Sequence, residues 1–223
     1  MTYGTTFAAW RDAAGDHWPA YTRHDFVRGL GDGTLPQAAF LHYLRQDYVF
    51  LIHFSRAWAL AVTKADTVAE MRLAAGTVNA LINEEIALHI QTCAAAGIDE
   101  TALFSEPERP ENLAYTRYVL DAGHSGDLLD LLAALAPCVM GYGEIGVHLA
   151  RTKTSDTYSA WIDTYAGAEY QQTCRDVGAL IDGAVARRLG AAAPDSPRWA
   201  ALCDRFTTAT RLEVGFWDMG LRP

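Results

Sequence analysis

Cys138 is the side chain in this sequence with the clearest capacity for covalent chemistry. It follows Pro137 within an apolar stretch at residues 127–151, DLLDLLAALAPCVMGYGEIGVHLAR. A cysteine in such a position can act as a nucleophile that forms a covalent intermediate. The alternative is a structural role, because a buried intracellular cysteine commonly behaves as a small inert hydrophobe. Taken alone, this stretch leaves both interpretations open.

The same stretch is predicted to be a helix with unusual small and helix-bending residues. Its apolar positions recur at helical spacing, and Asp127 is a suitable N-cap. Pro137 removes a backbone N–H and bends the helix, which can leave carbonyl groups free to line a cavity. Gly141, Gly143 and Gly146 lower the helix propensity, and their usual benefit is the close approach of another backbone or a ligand.

Two carboxylic acids stand in apolar surroundings. Asp47 falls on the apolar face of a predicted helix at residues 40–64, one turn before Leu51. Because an unpaired buried aspartate is costly, Asp47 is either a surface residue beside that face or a ligand-binding group. Glu213 lies among aromatic and aliphatic residues near the C-terminus, where burial would raise its pKa.

Two carboxylate and imidazole pairs raise the possibility of a metal site. Glu85 and His89 are four residues apart, as are Glu144 and His148. Di-metal helical bundles use Glu-x-x-His, in which the two ligands are three residues apart. The observed spacing instead favours a hydrogen bond or ion pair along one helix. The spacing therefore argues against a metal site.

The elements that must position these groups are all helical. No segment alternates with period two for long enough to form a strand, so we predict an all-α bundle of about eight helices in a single domain, residues 1–223. An aromatic helix is expected at residues 7–24. Helix starts are predicted at Thr34, Thr67, Asp127 and Ser196 from their capping patterns.

Composition limits the class of function. The net charge of −9 argues against nucleic acid as a partner and favours approach of small cations. The longest uncharged run around Cys138, residues 131–143, is shorter than the roughly 20 residues that cross a bilayer. The N-terminus has no signal or transit pattern, so we expect a soluble cytoplasmic protein without membrane contact. Its four cysteines form no CxxC pair and should be free thiols.

Several polar residues share one property: each lies within an apolar helical face, with one or two on each predicted helix. Inward-facing polar groups on several helices of a bundle form a small-molecule site. The residues are Asp47, Tyr115, Cys138, Tyr142, Tyr165 and Glu213.

Motifs along nearly the whole chain resemble the TenA/thiaminase II family. They are LGDGTLPQAAFLHYLRQDYVFLIHFSRAWA, NEEIALH, YTRYV, LAALAPCVMGYGEIG, WIDTYAG and EVGFWDM, in that order. The resemblance implies a haem-oxygenase-like all-α fold and a homotetramer. It also implies hydrolysis of 4-amino-5-aminomethyl-2-methylpyrimidine to the hydroxymethylpyrimidine, with thiamin as a poorer substrate and without cofactor or metal.

The resemblance also assigns roles to individual side chains. Cys138 matches the nucleophile of the cysteine-containing branch, Asp47 would pair with a ring nitrogen and the amino group, and Glu213 would exchange protons with the leaving amine and water. Tyr165 would orient Glu213. Two further tyrosines, Tyr115 and Tyr142, would flank or hydrogen-bond the flat ring. Phe50 departs from the tyrosine of well-known members, which removes a hydroxyl while keeping the ring, so fine substrate preference stays open.

Two other functions are considered beside this hydrolase. A relative of this fold could bind a pyrimidine as a carrier or interaction module, although mere binding requires neither Cys138 nor Glu213. A metal or haem enzyme is the third possibility. Its ligands would come from the seven histidines, none of which lies in a Glu-x-x-His pattern: His17, His24, His42, His53, His89, His124 and His148.

Overall fold

The computed structural model describes residues 3–190 and 193–223, and within these ranges every regular element is a helix. The predicted all-α class is therefore confirmed. The α-helices are α1 (Thr5–Ala13), α2 (His17–Thr22), α3 (Asp25–Asp32), α4 (Gln37–Lys64), α5 (Val68–Ala80), α6 (Ile86–Ala95), α7 (Glu100–Phe104), α8 (Pro110–Ser125), α9 (Leu128–Thr152), α10 (Ser159–Ala166), α11 (Ala168–Arg188) and α12 (Pro197–Gly220). A π-helical turn, Leu81–Glu85, joins α5 to α6, and a 3₁₀ turn, Ala193–Asp195, precedes α12.

Helix α9 is the centre of the bundle. It contacts α2, α3, α4, α8, α10, α11 and α12. By length and composition α9 could cross a membrane, but 89% of its most apolar window is buried inside the fold. This is the position of a core helix, and it explains why the helix that carries Cys138 has almost no charged residues.

The described residues form twelve α-helices and not about eight as predicted, because some predicted helices are divided. The aromatic segment at residues 7–24 forms α1 and α2, which are separated by Gly15 at φ +53°. Only glycine adopts this left-handed conformation readily, so it ends α1. The predicted caps at Thr67, Asp127 and Ser196 are confirmed. The cap at Thr34 is wrong, since Thr34 bonds to Asp32 and α4 begins after Pro36.

The glycines of α9 serve close packing, as predicted. A Cβ atom on Gly146 would lie 2.5 Å from the carbonyl carbon of Tyr165 and 2.6 Å from the nitrogen of Ala166. Backbone atoms cannot move aside as a flexible side chain can. Gly146 therefore allows α10, which carries Tyr165, to approach α9.

We expect Gly146→Ala to lower the free energy of unfolding by about 1–3 kcal/mol, the usual cost of overpacking a core. Denaturant titration measures this change. Gly76→Ala is the matched control, because Gly76 is an exposed helical glycine with nothing within 4 Å of an added Cβ. There the gain in helix propensity should stabilise the fold slightly. Equal stability of the two variants would contradict the packing role of Gly146.

Candidate active site

The predicted site residues come from α9 and from four helices packed on it, and they are almost completely enclosed. Helix α4 supplies Asp47 and Phe50, α8 supplies Tyr115, α9 supplies Cys138 and Tyr142, α10 supplies Tyr165 and α12 supplies Glu213. All are buried except Cys138, which is partly exposed. The structure also adds Glu85 and His89, which the sequence analysis considered only as a possible metal-binding pair.

Glu213 is buried at 1% exposure and is held by a tyrosine. The Tyr115 hydroxyl donates to Glu213 Oε1 at 2.8 Å. Burial raises the pKa of Glu213 to about 8, and the charge of Asp47 adds to this rise, whereas hydrogen bonds from Tyr115 and Tyr21 oppose it. Glu213 is therefore mainly protonated at pH 7 and can donate a proton.

The predicted contact between Tyr165 and Glu213 is wrong. The Tyr165 hydroxyl donates instead to Glu85 Oε1 at 3.2 Å. Glu213 takes its hydrogen bond from Tyr115. The geometric reason is that Tyr165 belongs to α10, which packs on α9 and α11, whereas Glu213 belongs to α12.

Asp47 is buried and accepts hydrogen bonds from two donors. The alternative that it is a surface residue is therefore wrong. Its side chain accepts from His89 Nε2 at 2.7 Å and from the Tyr43 hydroxyl at 3.2 Å. Both donors bind the same oxygen, Oδ2. The other oxygen, Oδ1, has no such partner and can accept from a ligand.

Glu85 and His89 do not form the predicted pair between their side chains. His89 Nδ1 lies 2.9 Å from the backbone carbonyl oxygen of Glu85, while the carboxyl group of Glu85 accepts from Tyr165. Glu144 is also not paired with His148; it accepts from Arg11 and Trp18, each at 2.8 Å.

The protonation of Glu85 and His89 follows from burial and from Asp47. Burial raises the pKa of Glu85 to about 7, which the charge of His89 opposes and that of Asp47 supports. For His89, burial favours the neutral ring, but the hydrogen bond and charge of Asp47, together with Glu85, outweigh it and raise the pKa to about 9. His89 is therefore a cation at pH 7.

The thiol of Cys138 is protonated in the unliganded site. Burial raises its pKa well above the ordinary value, and the nearby carboxyl groups of Glu213, Glu85 and Asp47 raise it further. The thiolate is the reactive form of cysteine. Cys138 must consequently lose its proton when it attacks a substrate.

We expect alkylation of Cys138 by iodoacetamide to be slow at pH 7 and to accelerate steadily up to pH 9, because the raised pKa leaves little thiolate at neutral pH. Peptide mass spectrometry over this pH range measures the rate. A bound pyrimidine should protect the thiol. Rapid alkylation at pH 7 without ligand would contradict the protonated thiol.

An aromatic wall surrounds the carboxyl groups. The ring of Phe50 lies 5.0 Å from that of Tyr115 and 5.5 Å from that of Phe216. Tyr142 lies 4.9 Å from Tyr165 between ring centroids. Flat, apolar surfaces of this kind suit an aromatic ligand.

Two cavities reach the cluster at Glu85 and Tyr165 and share part of their walls, whereas Cys138, Asp47 and Glu213 line neither. The larger has a volume of about 720 Å³ between α4, α5, the π turn, α6, α9, α10 and α11, and the smaller about 170 Å³. Glu85, Leu88, Thr164 and Tyr165 line both. The larger cavity is lined by five acids and by no lysine or arginine: Glu84, Glu85, Asp163, Glu169 and Asp176. This charge favours cationic ligands.

In residues 3–190 and 193–223 no group of three or more histidine, cysteine, aspartate or glutamate side chains is arranged to hold a metal ion. The Asp47 and His89 pair is instead satisfied by its own ion pair.

The bundle that encloses these acids and aromatic rings is all-α and of the haem-oxygenase-like fold. A family model described as TENA/THI-4/PQQC family matches residues 11–223, and the chain belongs to this family. The family resemblance predicted from the motifs is thus confirmed.

Individual relatives agree with this assignment. The chain is 34% identical to the aminopyrimidine aminohydrolase of Halalkalibacterium halodurans over 205 residues, which cover 91% of this chain and 89% of that protein. It is 41% identical to an uncharacterized protein of Haemophilus influenzae over 208 residues, 92% and 94% of the two chains. A solved structure described as a TenA family transcription regulator from Silicibacter sp. TM1040 superposes with a TM-score of 0.98 at 64% identity, covering 99% of this chain and 98% of that one.

Proposed function

We propose that this chain hydrolyses the exocyclic C–N bond of 4-amino-5-aminomethyl-2-methylpyrimidine and releases the hydroxymethylpyrimidine and ammonia, with thiamin as a poorer substrate. The observation that carries the proposal is the enclosed group of Cys138, Asp47 and Glu213 beside an aromatic wall. A pyrimidine carrier requires no nucleophile and no protonated acid. The family membership and the names of the relatives support the hydrolase.

In the proposed reaction Cys138 breaks the aromaticity of the ring. Its sulfur bonds to the ring carbon beside the aminomethyl substituent, and the thiol proton passes to a ring nitrogen. Asp47 accepts hydrogen bonds from the 4-amino group and the ring N–H, which stabilises the charge that develops. The electron-rich ring can then expel the amine, which an intact aromatic ring does poorly.

Glu213 handles the protons of the leaving and entering groups. The bound ammonium group first releases one proton to solvent, and the carboxylic acid of Glu213 then donates a proton to the neutral amine as the C–N bond breaks and ammonia leaves. Water then adds its oxygen to the exocyclic carbon and returns a proton to Glu213. Finally the C–S bond breaks, the thiolate takes back the ring proton, and the aromatic product leaves.

The acidic lining of the larger cavity supports a cationic substrate. The aminomethyl group is protonated at pH 7 and the thiazolium of thiamin carries a permanent charge, whereas the hydroxymethyl product is neutral. Five carboxyl groups at the cavity would thus raise the local concentration of substrate and not of product.

Parallel turnover assays test the proposal. The purified chain is given aminopyrimidine, formylaminopyrimidine and thiamin, and product formation is followed by chromatography at low and high salt. We expect turnover of the aminopyrimidine, with kcat/KM for the two cations falling at high salt more than for the neutral formyl compound. Tight pyrimidine binding without turnover of any compound would favour the carrier function and overturn the hydrolase.

We also propose a cytoplasmic homotetramer that binds neither nucleic acid nor membrane, as expected from the sequence. The six tryptophans do not support the tetramer, because five of them are buried within one chain. Its support is a set of exposed apolar side chains on α5, the π turn and α6: Val68, Met71, Ile82 and Leu88, of which Leu88 also lines both cavities. The negative charge continues to argue against nucleic acid.

We expect light scattering to give a mass of four chains at micromolar concentration, and Ile82→Glu to reduce this mass because a charge would enter an apolar interface. Leu221→Glu is the control, since Leu221 is an exposed apolar residue near the C-terminus and outside this set. A monomeric wild-type protein would contradict the tetramer.

A further inference from the structure

His89 is an enclosed imidazole between two acceptors. The residue is 5% exposed, its Nδ1 lies 2.9 Å from the carbonyl oxygen of Glu85, and its Nε2 lies 2.7 Å from Asp47 Oδ2. A carbonyl oxygen can only accept a hydrogen bond, so Nδ1 must carry a proton. The orientation of the ring is therefore fixed by the backbone, and Nε2 faces the carboxyl group.

The contact at Nε2 gives Asp47 a cationic partner. A buried carboxylate without a partner is strongly destabilised, and it becomes protonated instead. Asp47 is 4% exposed, and its ion pair in the described part of the chain is with His89. The ion pair with His89 therefore offsets part of the cost of burying the Asp47 carboxyl group.

The same contact determines which oxygen of Asp47 faces a ligand. His89 and the Tyr43 hydroxyl both bind Oδ2, which fixes the carboxyl group from one side. Oδ1 has no hydrogen-bond partner among the described residues, so it can accept a hydrogen bond from a ligand. A carboxylate held in this way offers one oriented acceptor to a planar ligand that presents N–H groups.

The backbone that anchors His89 has an unusual geometry. Glu85, whose carbonyl receives Nδ1–H, is the last residue of the π-helical turn Leu81–Glu85. Such turns are rare and occur frequently at functional sites. The turn therefore helps to hold Asp47 in place through His89. The side chain of Glu85, at the end of the turn, also lines both cavities.

We propose that His89 is a positioning residue for the substrate: clamped between the Glu85 carbonyl and Asp47, it holds the Asp47 carboxyl group with Oδ1 directed to the N–H groups of a 4-aminopyrimidine. The inference rests on the proposed function for the identity of the ligand. His89 itself need not touch the substrate, since it acts through Asp47.

Other titratable groups surround this pair and will contribute to any pH profile. Those that act on Asp47 or His89 come from α4, the π turn, α6, α9, α10 and α12. They are Tyr43, Glu85, Cys93, Cys138, Tyr142, Tyr165 and Glu213. Because none of them is a cation, removal of the imidazolium charge leaves Asp47 among neutral and acidic groups.

The test compares His89→Gln with His42→Gln. Glutamine can keep a neutral N–H donor towards Asp47 but cannot carry the positive charge. We expect His89→Gln to lower the affinity for the hydroxymethylpyrimidine, measured by calorimetry, by a factor on the order of 10 to 100. KM for the aminopyrimidine should rise by a similar factor while kcat changes far less, because His89 acts on substrate binding through Asp47.

His42→Gln is the matched control. His42 is likewise a buried imidazole, on α4, and its Nε2 has no hydrogen-bond partner. It should leave both the affinity and KM unchanged. If His89→Gln lowers the melting temperature but leaves both readouts at the wild-type values, His89 is only structural and the proposal is overturned.

A measurement on the wild-type protein keeps the proposal testable if His89→Gln does not fold. The ¹⁵N signals of the His89 ring at pH 7.5 should report protons on both nitrogens, before and after the hydroxymethylpyrimidine is added. A neutral tautomer would overturn the proposal. Binding and ring protonation do not depend on turnover. If His89→Gln weakens binding but the wild-type protein turns over none of the compounds, the proposed hydrolase is refuted and this inference stays intact.

Discussion

Cys138→Ser is expected to reduce turnover of the aminopyrimidine by a factor of about 10⁴ or more, while the affinity for the hydroxymethyl product changes little. The hydroxyl of serine is a much weaker nucleophile than a thiol. The side chain differs by one atom, so the aromatic wall and Asp47 should still bind the ring. A selective loss of kcat is the signature of a group that acts in the reaction itself.

Steady-state kinetics and calorimetry on the same preparations measure the two effects. Cys203→Ser is the matched control, because Cys203 is a partly buried cysteine on α12 that touches none of the proposed machinery. It should retain wild-type kcat and KM. Substantial residual turnover in Cys138→Ser would show that the C–N bond breaks without a covalent intermediate.

The enclosed position of Glu213 could be predicted from the sequence, because this acid interrupts an apolar helical face, whereas for Asp47 the same pattern left a surface position open. Burial of an acid within such a face also implies a raised pKa, and for Glu213 the structure agrees with this expectation. The close approach allowed by the glycines of α9 was predictable for a similar reason. In each case the information lies within one helix, where periodicity determines which residues point inward.

Contacts between distant residues could not be predicted in this way. His89 meets Asp47 across 42 positions of the chain, and Tyr165 meets Glu85 across 80. The pattern at Glu85 and His89 drew attention to the right residues but suggested a contact along one helix. The π turn has no characteristic sequence, and it changes the direction of the side chains that follow it.

The raised pKa of Glu213 implies a cost in stability that depends on pH. Its folded-state pKa of about 8 lies above the ordinary value of 4.5, so the folded protein holds this proton over a range in which the unfolded chain releases it. Stability is therefore unaffected below pH 4 and falls as the pH rises from 4.5 to 8. The corresponding free energy is on the order of 5 kcal/mol at pH 8 and above.

Glu213→Gln should therefore stabilise the fold at pH 8, with a gain that disappears near pH 4. Glutamine has nearly the same size and can still accept from Tyr115, but it does not ionise. Part of the 5 kcal/mol will be offset by burial of the amide N–H₂ group. Denaturant unfolding at the two pH values measures the gain. Equal stability of wild type and variant at pH 8 would contradict the raised pKa.

The same substitution should lower kcat by a factor on the order of 10² to 10⁴, the usual contribution of a general acid, because the amide cannot protonate the leaving amine. Product affinity should change far less. Asp47→Asn is the informative contrast, since an amide cannot accept as a carboxylate does, and it should weaken binding of any 4-aminopyrimidine. If Glu213→Gln weakens binding and spares turnover, the proton donor must be sought elsewhere. Glu85 would then be the candidate, because its pKa of about 7 also suits proton exchange and it lines both cavities.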